Sequence, residues 1–360
     1  MTETVDATSP LRVGIVGGGF IGTTVGAGFR DHEAARIVAL VDIDEPTLHE
    51  AGATLGVDPG GRYTDYETML ATESLDAVLI GTPHTLHYEQ ILTAFDHGLD
   101  VLCDKPLTTD LPQARELVAR DDEREAVLMV GYQRHLDAAF IKTRELWAAT
   151  DREPQWITAA VSQRWVDPFK NTWRQNPDLS GGYLYDTGSH LLDCVLWTTQ
   201  LTPKTVSATM EFVDDDSAEP RSAKPQAAAP RRRVDGSASV TVQFTNGATA
   251  TFSLSGETPC MREHIRMWDD KGAVALDTQD WEPSDYMEID ADNGEYRPPI
   301  RRERRRIKAD AFIEAIETGT EPAATALDGL RVTAVTEAAY KSARRDGAVV
   351  EIDPEDVALD

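Results

Sequence analysis

The sequence predicts an α/β protein in which a doubly wound parallel sheet is followed by a mainly antiparallel sheet. Residues 11–22, LRVGIVGGGFIG, are an apolar run that breaks into glycines. Up to about residue 130, short unbroken apolar runs then alternate with helical stretches, which is typical of strands covered on both faces. After Gly131, apolar and polar residues alternate, which is typical of half-buried antiparallel strands.

The first strand, helix and second strand carry the pattern of a dinucleotide site. Three glycines fit G-x-G-x-x-G, a spacing that gives a tight turn, a close backbone approach to a pyrophosphate and close helix–strand packing. The second strand, at 37–41, ends 20 residues after the third glycine in an acid placed to bind a ribose. The predicted cofactor-binding residues here are Gly17, Gly19, Phe20, Ile21, Gly22 and Asp42. The alternative is a glycine-rich turn without a ligand.

Further strands and helices continue the alternation up to about residue 130. Strands are predicted at 77–80, 101–103 and 126–130, and helices at 46–55, 86–97 and 111–122. Residues 1–130 are therefore predicted to form a doubly wound nucleotide-binding domain.

The second half, residues 131–360, is predicted to form a domain for substrate binding and oligomerisation. Strands are predicted at 155–165, 204–212, 237–245 and 248–255, with a hairpin turn at Asn246-Gly247, and helices at 305–318 and 323–345. The helix near 323–345 is expected to pack back on the first domain. Residues 214–236, rich in Pro, Ala and charge, are predicted to be a surface loop. The basic cluster at 301–306 is interpreted as a solvated or acid-paired face.

The composition indicates a reducing, salt-rich cytoplasm. The chain has 62 acidic residues against 35 basic ones, of which only 8 are lysine, and its net charge is −27. At about 1 M salt the Debye length falls to about 3 Å, so such self-repulsion is screened. The charge argues against nucleic acid and anionic membrane as partners. The three cysteines are far apart in the sequence, so no disulfide framework is predicted. No apolar run reaches the roughly 20 residues of a membrane helix, so no membrane span is predicted. The alternative is an ordinary acidic mesophilic enzyme.

Polar residues follow the strand at 77–80, at the edge of a parallel sheet where ligands bind. In GTPHTLH, residues 81–87, Pro83 is expected to make a rigid floor for a nicotinamide ribose, with Thr82 beside it. His84 and His87 are interpreted as loop-packing residues or cofactor contacts rather than catalysts.

Asp104-Lys105-Pro106 follows the strand at 101–103. Because proline favours an extended preceding residue, Lys105 is expected to stay at the sheet edge, where it would donate a hydrogen bond to a reacting oxygen. The alternative is an ordinary exposed lysine.

A helix is predicted to begin near Asp186 or Thr187 and to run to Trp197. Asp186 and His190 would then share one face, with the carboxylate orienting the imidazole. A histidine with a pKa of about 6.5 can exchange a proton with an alcohol near neutral pH. The alternatives are a structural Asp–His cap, and a metal site completed by Cys194; no metal is predicted.

The chain resembles the Gfo/Idh/MocA family of glucose–fructose oxidoreductase and inositol dehydrogenase from Leu11 to Ile352. The resemblance rests on GGGFIG, VALVD, GTPHTLH, DVLCDKP, MVGYQRH, WR…SGGYLYDTGSHLLD and DGL…EAAYKSAR. It implies an N-terminal Rossmann domain and a C-terminal α/β domain on an open, mainly antiparallel sheet. It also implies a homodimer or homotetramer packed through that sheet. The chain departs from the family at Asp104, where Glu is usual, and at Tyr183, where a third glycine is common.

The implied activity is reversible hydride transfer between a nicotinamide and a hydroxyl or carbonyl of a sugar, polyol or inositol. Lys105 matches the lysine of the family's E-K-P motif, and Asp186 and His190 match its D-x-G-x-H pair. His190 would take the hydroxyl proton, Lys105 would stabilise the alkoxide, and Asp186 would position both. NAD is favoured over NADP, because Asp42 and Asp44 would repel a 2′-phosphate.

Further site residues complete this expectation. Asp104 and Lys105 join Thr82, Pro83 and His87 as predicted cofactor contacts, and the predicted substrate contacts are Gln133, Arg134, Trp173, Arg174, Tyr183 and His190. Two rival functions are a glycosidase or lyase that uses NAD without net redox change, and a non-catalytic cofactor-binding sensor. The presence of both Lys105 and His190 argues against the sensor.

Overall fold

The computed structural model describes residues 9–213, 234–300 and 306–357. Its first half is a six-stranded parallel sheet in the order β3-β2-β1-β4-β5-β6, with helices between the strands. The elements are β1 Leu11–Val16, α1 Phe20–Arg30, β2 Ala35–Val41, α2 Glu45–Leu55, β3 Arg62–Tyr63, α3 Tyr66–Thr72, β4 Ala77–Ile80, α4 His87–Asp96, β5 Asp100–Cys103, α5 Leu111–Asp122 and β6 Leu128–Val130. This strand order confirms the doubly wound fold.

Aspartates at the helix starts explain where several of these helices begin. Asp44, Asp65 and Asp110 each accept a hydrogen bond from a backbone N–H in the first turn of α2, α3 and α5. Such caps satisfy donors that have no partner inside the helix. In contrast, Gly19 precedes α1 without a side-chain cap, so the N-terminus of α1 keeps its free donors.

The second half is built on a nine-stranded sheet in the order β14-β13-β12-β11-β7-β10-β9-β8-β15. Its elements are α6 Ala138–Ala148, β7 Trp156–Arg164, α7 Ser189–Thr199, β8 Pro203–Phe212, β9 Asp235–Phe244, β10 Thr249–Ser255, β11 Glu257–Trp268, β12 Gly272–Gln279, β13 Asp285–Asp290, β14 Glu295–Tyr296, α8 Lys308–Thr318, α9 Ala326–Ala343 and β15 Val350–Glu351. All neighbouring pairs are antiparallel except β7 and β10, which are parallel. The predicted mainly antiparallel sheet is therefore confirmed.

Several expectations about the second half need correction or addition. The sequence analysis did not identify α6, the strands from β11 to β14, or β15 there, nor β3 and α3 in the first half. Of the predicted loop at 214–236, residues 214–233 lie outside the described residues, whereas Val234 and Asp235 are buried and β9 begins at Asp235. Of the basic cluster at 301–306, only Arg306 is described.

The two C-terminal helices contact the first half of the chain. Phe312 of α8 packs edge-on against Phe29 of α1 with ring centroids 6.0 Å apart, inside the same apolar core as β1 and β2. Ahead of α9, the Ala324 carbonyl accepts a hydrogen bond from the Val130 N–H at 3.0 Å. On α9, the Glu337 carboxylate accepts one from the Leu111 N–H at 3.1 Å. The division of the chain at residue 130 stays a prediction.

In the three described stretches of chain, no helix combines the length and the apolar character needed to cross a membrane.

Candidate active site

The glycine turn between β1 and α1 leaves open space where a phosphate would lie. Gly17 has a φ of +95°, and a Cβ on Gly22 would lie 1.8 Å from the Gly17 carbonyl oxygen, so both positions require glycine. A Cβ on Gly19 would meet nothing within 4 Å, although the uncapped N–H groups of α1 begin there. The turn therefore fits a dinucleotide pyrophosphate, which backbone donors and the helix dipole would hold.

Asp42 is fixed beside this turn by the backbone. One carboxylate oxygen accepts a hydrogen bond from the Gly18 N–H at 2.7 Å, and the other accepts one from the Asp44 N–H at 2.9 Å. The next residue, Ile43, is 90 % exposed. If a dinucleotide bound there, the end of β2 would present carboxylate oxygens to its ribose hydroxyls and an exposed apolar side chain to its adenine ring.

Lys105 follows β5 at the carboxyl edge of the first sheet and is buried. Its Nζ donates to the Asp186 carbonyl oxygen, and lies 3.1 Å from Oδ1 of the same residue. The peptide bond from Lys105 to Pro106 is cis. Because an ammonium has three N–H donors, this anchoring leaves Lys105 one donor for a ligand.

The Asp186 carboxylate is shared among several side chains. Its Oδ2 accepts hydrogen bonds from Trp165 Nε1 at 2.6 Å and from Arg174 Nε at 3.2 Å, and His84 Nε2 lies 3.6 Å from Oδ1. Burial by itself raises the pKa of Asp186, but Lys105, His84, Arg174 and the Trp165 hydrogen bond together outweigh burial and hold that pKa well below its usual range. Asp186 is therefore an ionised anchor for Lys105.

His190 lies in the first turn of α7, with its ring 5.3 Å from that of Trp281. It is buried, and its Nδ1 has no hydrogen-bond partner in the described part of the chain. Burial lowers the pKa of His190 well below its usual value, and the charges of Lys105 and Lys308 lower it further. The ring is therefore neutral near pH 7 and can accept a proton.

The expected pairing of Asp186 with His190 is corrected by the structure. Residues Leu184–Gly188 form a π-helical segment rather than the first turn of an α-helix, and the Asp186 carboxylate hydrogen-bonds to side chains other than His190, whose Nδ1 has no partner among the described residues. Asp186 binds Lys105, Trp165 and Arg174 instead. Further along α7, Asp193 pairs with a histidine, since both of its carboxylate oxygens lie 3.0 Å from His135 Nε2.

Lys105, Asp186 and His190 line one cleft of about 1410 Å³ between the two sheets. Other predicted site residues on its wall are Phe20, Ile21, Gln133, Arg134 and Arg174. Arg134 is buried and forms an ion pair with Glu263 at 3.1 Å, so its charge is already compensated. The cleft is large enough for a nicotinamide together with a sugar-sized molecule.

Two predicted substrate contacts lie outside the cleft wall. Tyr183 is fully buried, donates its hydroxyl proton to the Ser255 carbonyl at 3.1 Å and packs against Trp165. Trp173 packs edge-on against His84, with centroids 4.9 Å apart. Both aromatic rings support the residues around Asp186 rather than forming a wall for a ligand.

The loop after β4 holds the predicted cofactor contacts Thr82, Pro83 and His87. The His87 ring is buried, with Nδ1 2.8 Å from the Pro106 carbonyl oxygen and Nε2 3.0 Å from that of Thr82. It therefore braces this loop against the Lys105 loop and is not free to contact a cofactor. Burial likewise lowers the pKa of His84 to about 3, which agrees with its interpretation as a packing residue.

Trp281 and Lys308 are among the cleft residues that the sequence analysis missed. Lys308 Nζ lies 2.8 Å from the Asp104 carboxylate, a separation of 204 residues along the chain. Although burial raises it, the charges of Lys308 and Lys105 lower the pKa of Asp104 to about 2. The one signal in the sequence that could have drawn attention to Lys308 is the scarcity of lysine, since the chain has only eight.

The metal alternative finds no support in the described ranges. No group of three or more His, Cys, Asp or Glu side chains is arranged there to hold a metal ion. Cys194 is buried, and Asp186 is occupied by cationic and indole N–H donors.

Comparison with known families agrees with this geometry. The family model described as "Oxidoreductase family, NAD-binding Rossmann fold" matches residues 11–132, and the "GFO/IDH/MocA C-terminal domain" matches residues 153–275. The protein belongs to the Gfo/Idh/MocA family. The resemblance that the sequence motifs carry is thus confirmed, and the first domain of this Gfo/Idh/MocA protein is an NAD(P)-binding Rossmann domain.

Named relatives of this Gfo/Idh/MocA oxidoreductase act on sugars and polyols. The chain is 29% identical over 328 residues to D-xylose 1-dehydrogenase (NADP(+)) 2 of Haloferax volcanii, covering 90% of this chain and 93% of that protein. It is 27% identical over 351 residues to inositol 2-dehydrogenase of Rhizobium meliloti, covering 92% and 96%. Aldose-aldose oxidoreductase from Caulobacter crescentus superposes with a TM-score of 0.79 at 24% identity over 95% and 100% of the chains, which shows a shared fold alone.

Proposed function

We propose that this oxidoreductase is a dehydrogenase that oxidises a hydroxyl group of a sugar, polyol or inositol with NAD. The observation that carries the proposal is the pairing of two groups in one cleft: an anchored lysine with one free donor and a buried neutral imidazole. These are the two functions that alcohol oxidation requires of the protein, a donor to the developing alkoxide and a base for the hydroxyl proton. The names of the relatives support sugars and polyols as the substrate class.

Each residue has one role in this mechanism. The nicotinamide supplies the hydride acceptor when it is bound. Asp186 fixes the Lys105 ammonium through its carboxylate and its carbonyl, so that the remaining N–H meets the substrate oxygen. His190 takes the hydroxyl proton because its ring is neutral and its Nδ1 has no hydrogen-bond partner among the described residues. Trp281, whose ring is tilted by 54° against that of His190, limits the water that reaches this base.

The choice of NAD over NADP is part of the proposal and rests on the end of β2. The Asp42 carboxylate lies beside the glycine turn and the Asp44 carboxylate caps α2 two residues further on, so a 2′-phosphate at the adenosine ribose would meet two nearby like charges. The name of the Haloferax relative includes NADP(+), so this assignment needs its own measurement. A higher kcat/KM with NADP than with NAD would contradict it.

The second sheet supports the expectation of a homodimer or homotetramer. Its outer face carries small polar side chains and two exposed tryptophans, Trp156 at 62 % and Trp268 at 40 % exposure. Light scattering after size-exclusion chromatography in molar KCl tests this, and a monomer at micromolar concentration would contradict it.

The activity is tested with a panel of sugars, inositols and aldonic acids in molar KCl, by following the absorbance of the reduced cofactor. Lys105→Ala and His190→Ala are expected to lower kcat strongly while leaving the affinity for NAD nearly unchanged. Loss of NAD binding in both variants would contradict their assigned roles. Cleavage of a sugar without net formation of reduced cofactor would favour the glycosidase or lyase alternative.

A further inference from the structure

A buried ion pair lies beside the candidate catalytic lysine and is not used by the mechanism above. Lys308, the first residue of α8, places its Nζ 2.8 Å from the Asp104 carboxylate. The side chains are 11% and 8% exposed, respectively. Asp104 directly precedes Lys105, so the pair joins the C-terminal helix to the catalytic loop.

A glycine next to the ion pair leaves room for its two side chains. A Cβ on Gly131 would lie 2.8 Å from Asp104 Oδ1 and 2.9 Å from Lys308 Nζ, so any larger residue would displace the pair. On the other side, a Cβ on Gly28 of α1 would lie 2.8 Å from the Ala309 Cβ. The first turn of α8 is thus packed directly on the nucleotide-binding helix, which fixes the position of Lys308.

Lys308 presents hydrogen-bond donors to the cleft. Its ammonium has three N–H donors, and within the described residues Asp104 is its one hydrogen-bond acceptor. Lys308 lines the cleft together with Lys105 and Ile21 of α1, whereas Asp104 lies behind it and does not. A nearly buried cation therefore faces the ligand space with donors to spare.

The position of Lys308 on the sheet indicates which part of a ligand it would meet. The glycine turn and Asp42 lie at the ends of β1 and β2 and account for the pyrophosphate and adenosine ribose. Lys308 lies instead at the ends of β5 and β6, next to Lys105, where the reacting ring must be placed. The acceptor available on that ring is its carboxamide oxygen.

We propose that Lys308 is a further cofactor-binding residue that donates a hydrogen bond to the carboxamide of the nicotinamide and favours the reduced, uncharged ring over the oxidised, cationic one. The inference rests on the proposed NAD-dependent function. Asp104 has the role of a positioning residue, since it holds the Lys308 ammonium in place. The ammonium repels the positive charge of the oxidised ring, and Asp104 offsets part of that repulsion.

The test measures dissociation constants by titration calorimetry for NADH, NAD and ADP-ribose, which lacks the nicotinamide. The variants are Lys308→Met and the double variant Asp104→Asn/Lys308→Met, which leaves no unpaired carboxylate buried and keeps the test valid if the single variant fails to fold. Both are expected to weaken NADH binding about tenfold, the effect of losing one hydrogen bond to a charged group. The affinity for ADP-ribose should be unchanged, and the preference for NADH over NAD should fall. Lys341→Met, at an exposed lysine of α9 paired with Glu337, removes the same charge far from Asp104 and should change none of these constants.

Three outcomes would overturn the inference. Unchanged NADH affinity in the double variant would show that Lys308 does not touch the nicotinamide. An equal loss for NADH and ADP-ribose would show that the pair only supports the fold around the whole dinucleotide site. If the wild-type protein binds neither NADH nor ADP-ribose, the proposed function itself fails, and this failure is distinct because it precedes any substitution.

Discussion

Asp186→Asn tests whether the Asp186 carboxylate acts on Lys105, which it binds, or on His190, the candidate proton acceptor. The change keeps the shape of the side chain but removes the charge that Lys105 and Arg174 share. Because Lys105 keeps its bond to the Asp186 carbonyl, the loss is one hydrogen bond between charged groups, about 1.5–3 kcal/mol, or about 10- to 100-fold in kcat/KM. Breaking a buried pair also costs about 3–5 kcal/mol of stability, so the folded fraction is measured first by circular dichroism.

The pH dependence of this variant provides the decisive measurement. His190 must be neutral to accept a proton, so kcat/KM for oxidation falls as the pH drops through the pKa of His190. Burial has the largest effect on this pKa, and the largest effects of charge come from Lys105, Lys308, Asp104 and Arg134 rather than from Asp186. In Asp186→Asn the acid limb of the profile should therefore stay where it is in the wild type.

Asp104→Asn is the matched control for that profile. The Asp104 charge raises the pKa of His190, so its removal should move the acid limb to lower pH. Because the pKa of His190 lies well below its usual value, steady-state rates in molar KCl are followed from pH 9 down to the lowest pH at which circular dichroism shows a folded protein. A shift of one pH unit or more in Asp186→Asn would refute the reasoning, because it would mean that Asp186 acts on His190 after all.

Other substitutions test the remaining parts of the site. Tyr183→Phe should leave kcat unchanged and lower the free energy of unfolding by about 1 kcal/mol in a urea titration, since it removes one buried hydrogen bond away from the cleft. Gly19→Ala should keep the melting temperature but weaken NADH binding, whereas Gly22→Ala should lower the melting temperature because its Cβ has no room. A lower melting temperature for Gly19→Ala than for Gly22→Ala would contradict this. Burial raises the pKa of Asp235 to about 6, so its stabilising protonation is complete below about pH 4 and lost as pH rises through 6. Relative to Asp235→Asn, the wild type should therefore lose up to about 3 kcal/mol of unfolding free energy between pH 4 and 7.

The features that the sequence predicted correctly are those that short-range patterns determine. The strand, glycine turn and helix from Leu11 to Arg30 are contiguous, and each glycine has a local steric reason. Lys105 could be placed at the sheet edge because it follows a buried strand directly. The same locality explains the hairpin at Asn246-Gly247, where the second residue adopts a φ of +90°.

The features that the sequence analysis missed depend on contacts between distant segments or on an irregular helix. Nothing local in Leu184–Gly188 distinguishes a π-helical turn from an α-helical one, and the groups that Asp186 binds, such as Lys105 and Trp165, come from other segments of the chain. Lys308 reaches Asp104 only because α8 packs on α1, a contact between residues far apart in the chain. Tyr183 follows two glycines and could be expected at a ligand, but its ring packs against that of Trp165 in the core.

The packing of α8 on α1 also constrains the order in which the protein can form during synthesis. Phe312 and Ile313 complete the apolar core that Val13, Ile15 and Phe29 begin. The ribosome adds these residues nearly three hundred positions after the first strand. The apolar surface of the nascent nucleotide-binding half therefore stays exposed until α8 has been synthesised. A fragment ending near residue 130 should accordingly need a chaperone or aggregate, and adding a peptide that spans residues 306–318 should improve its solubility.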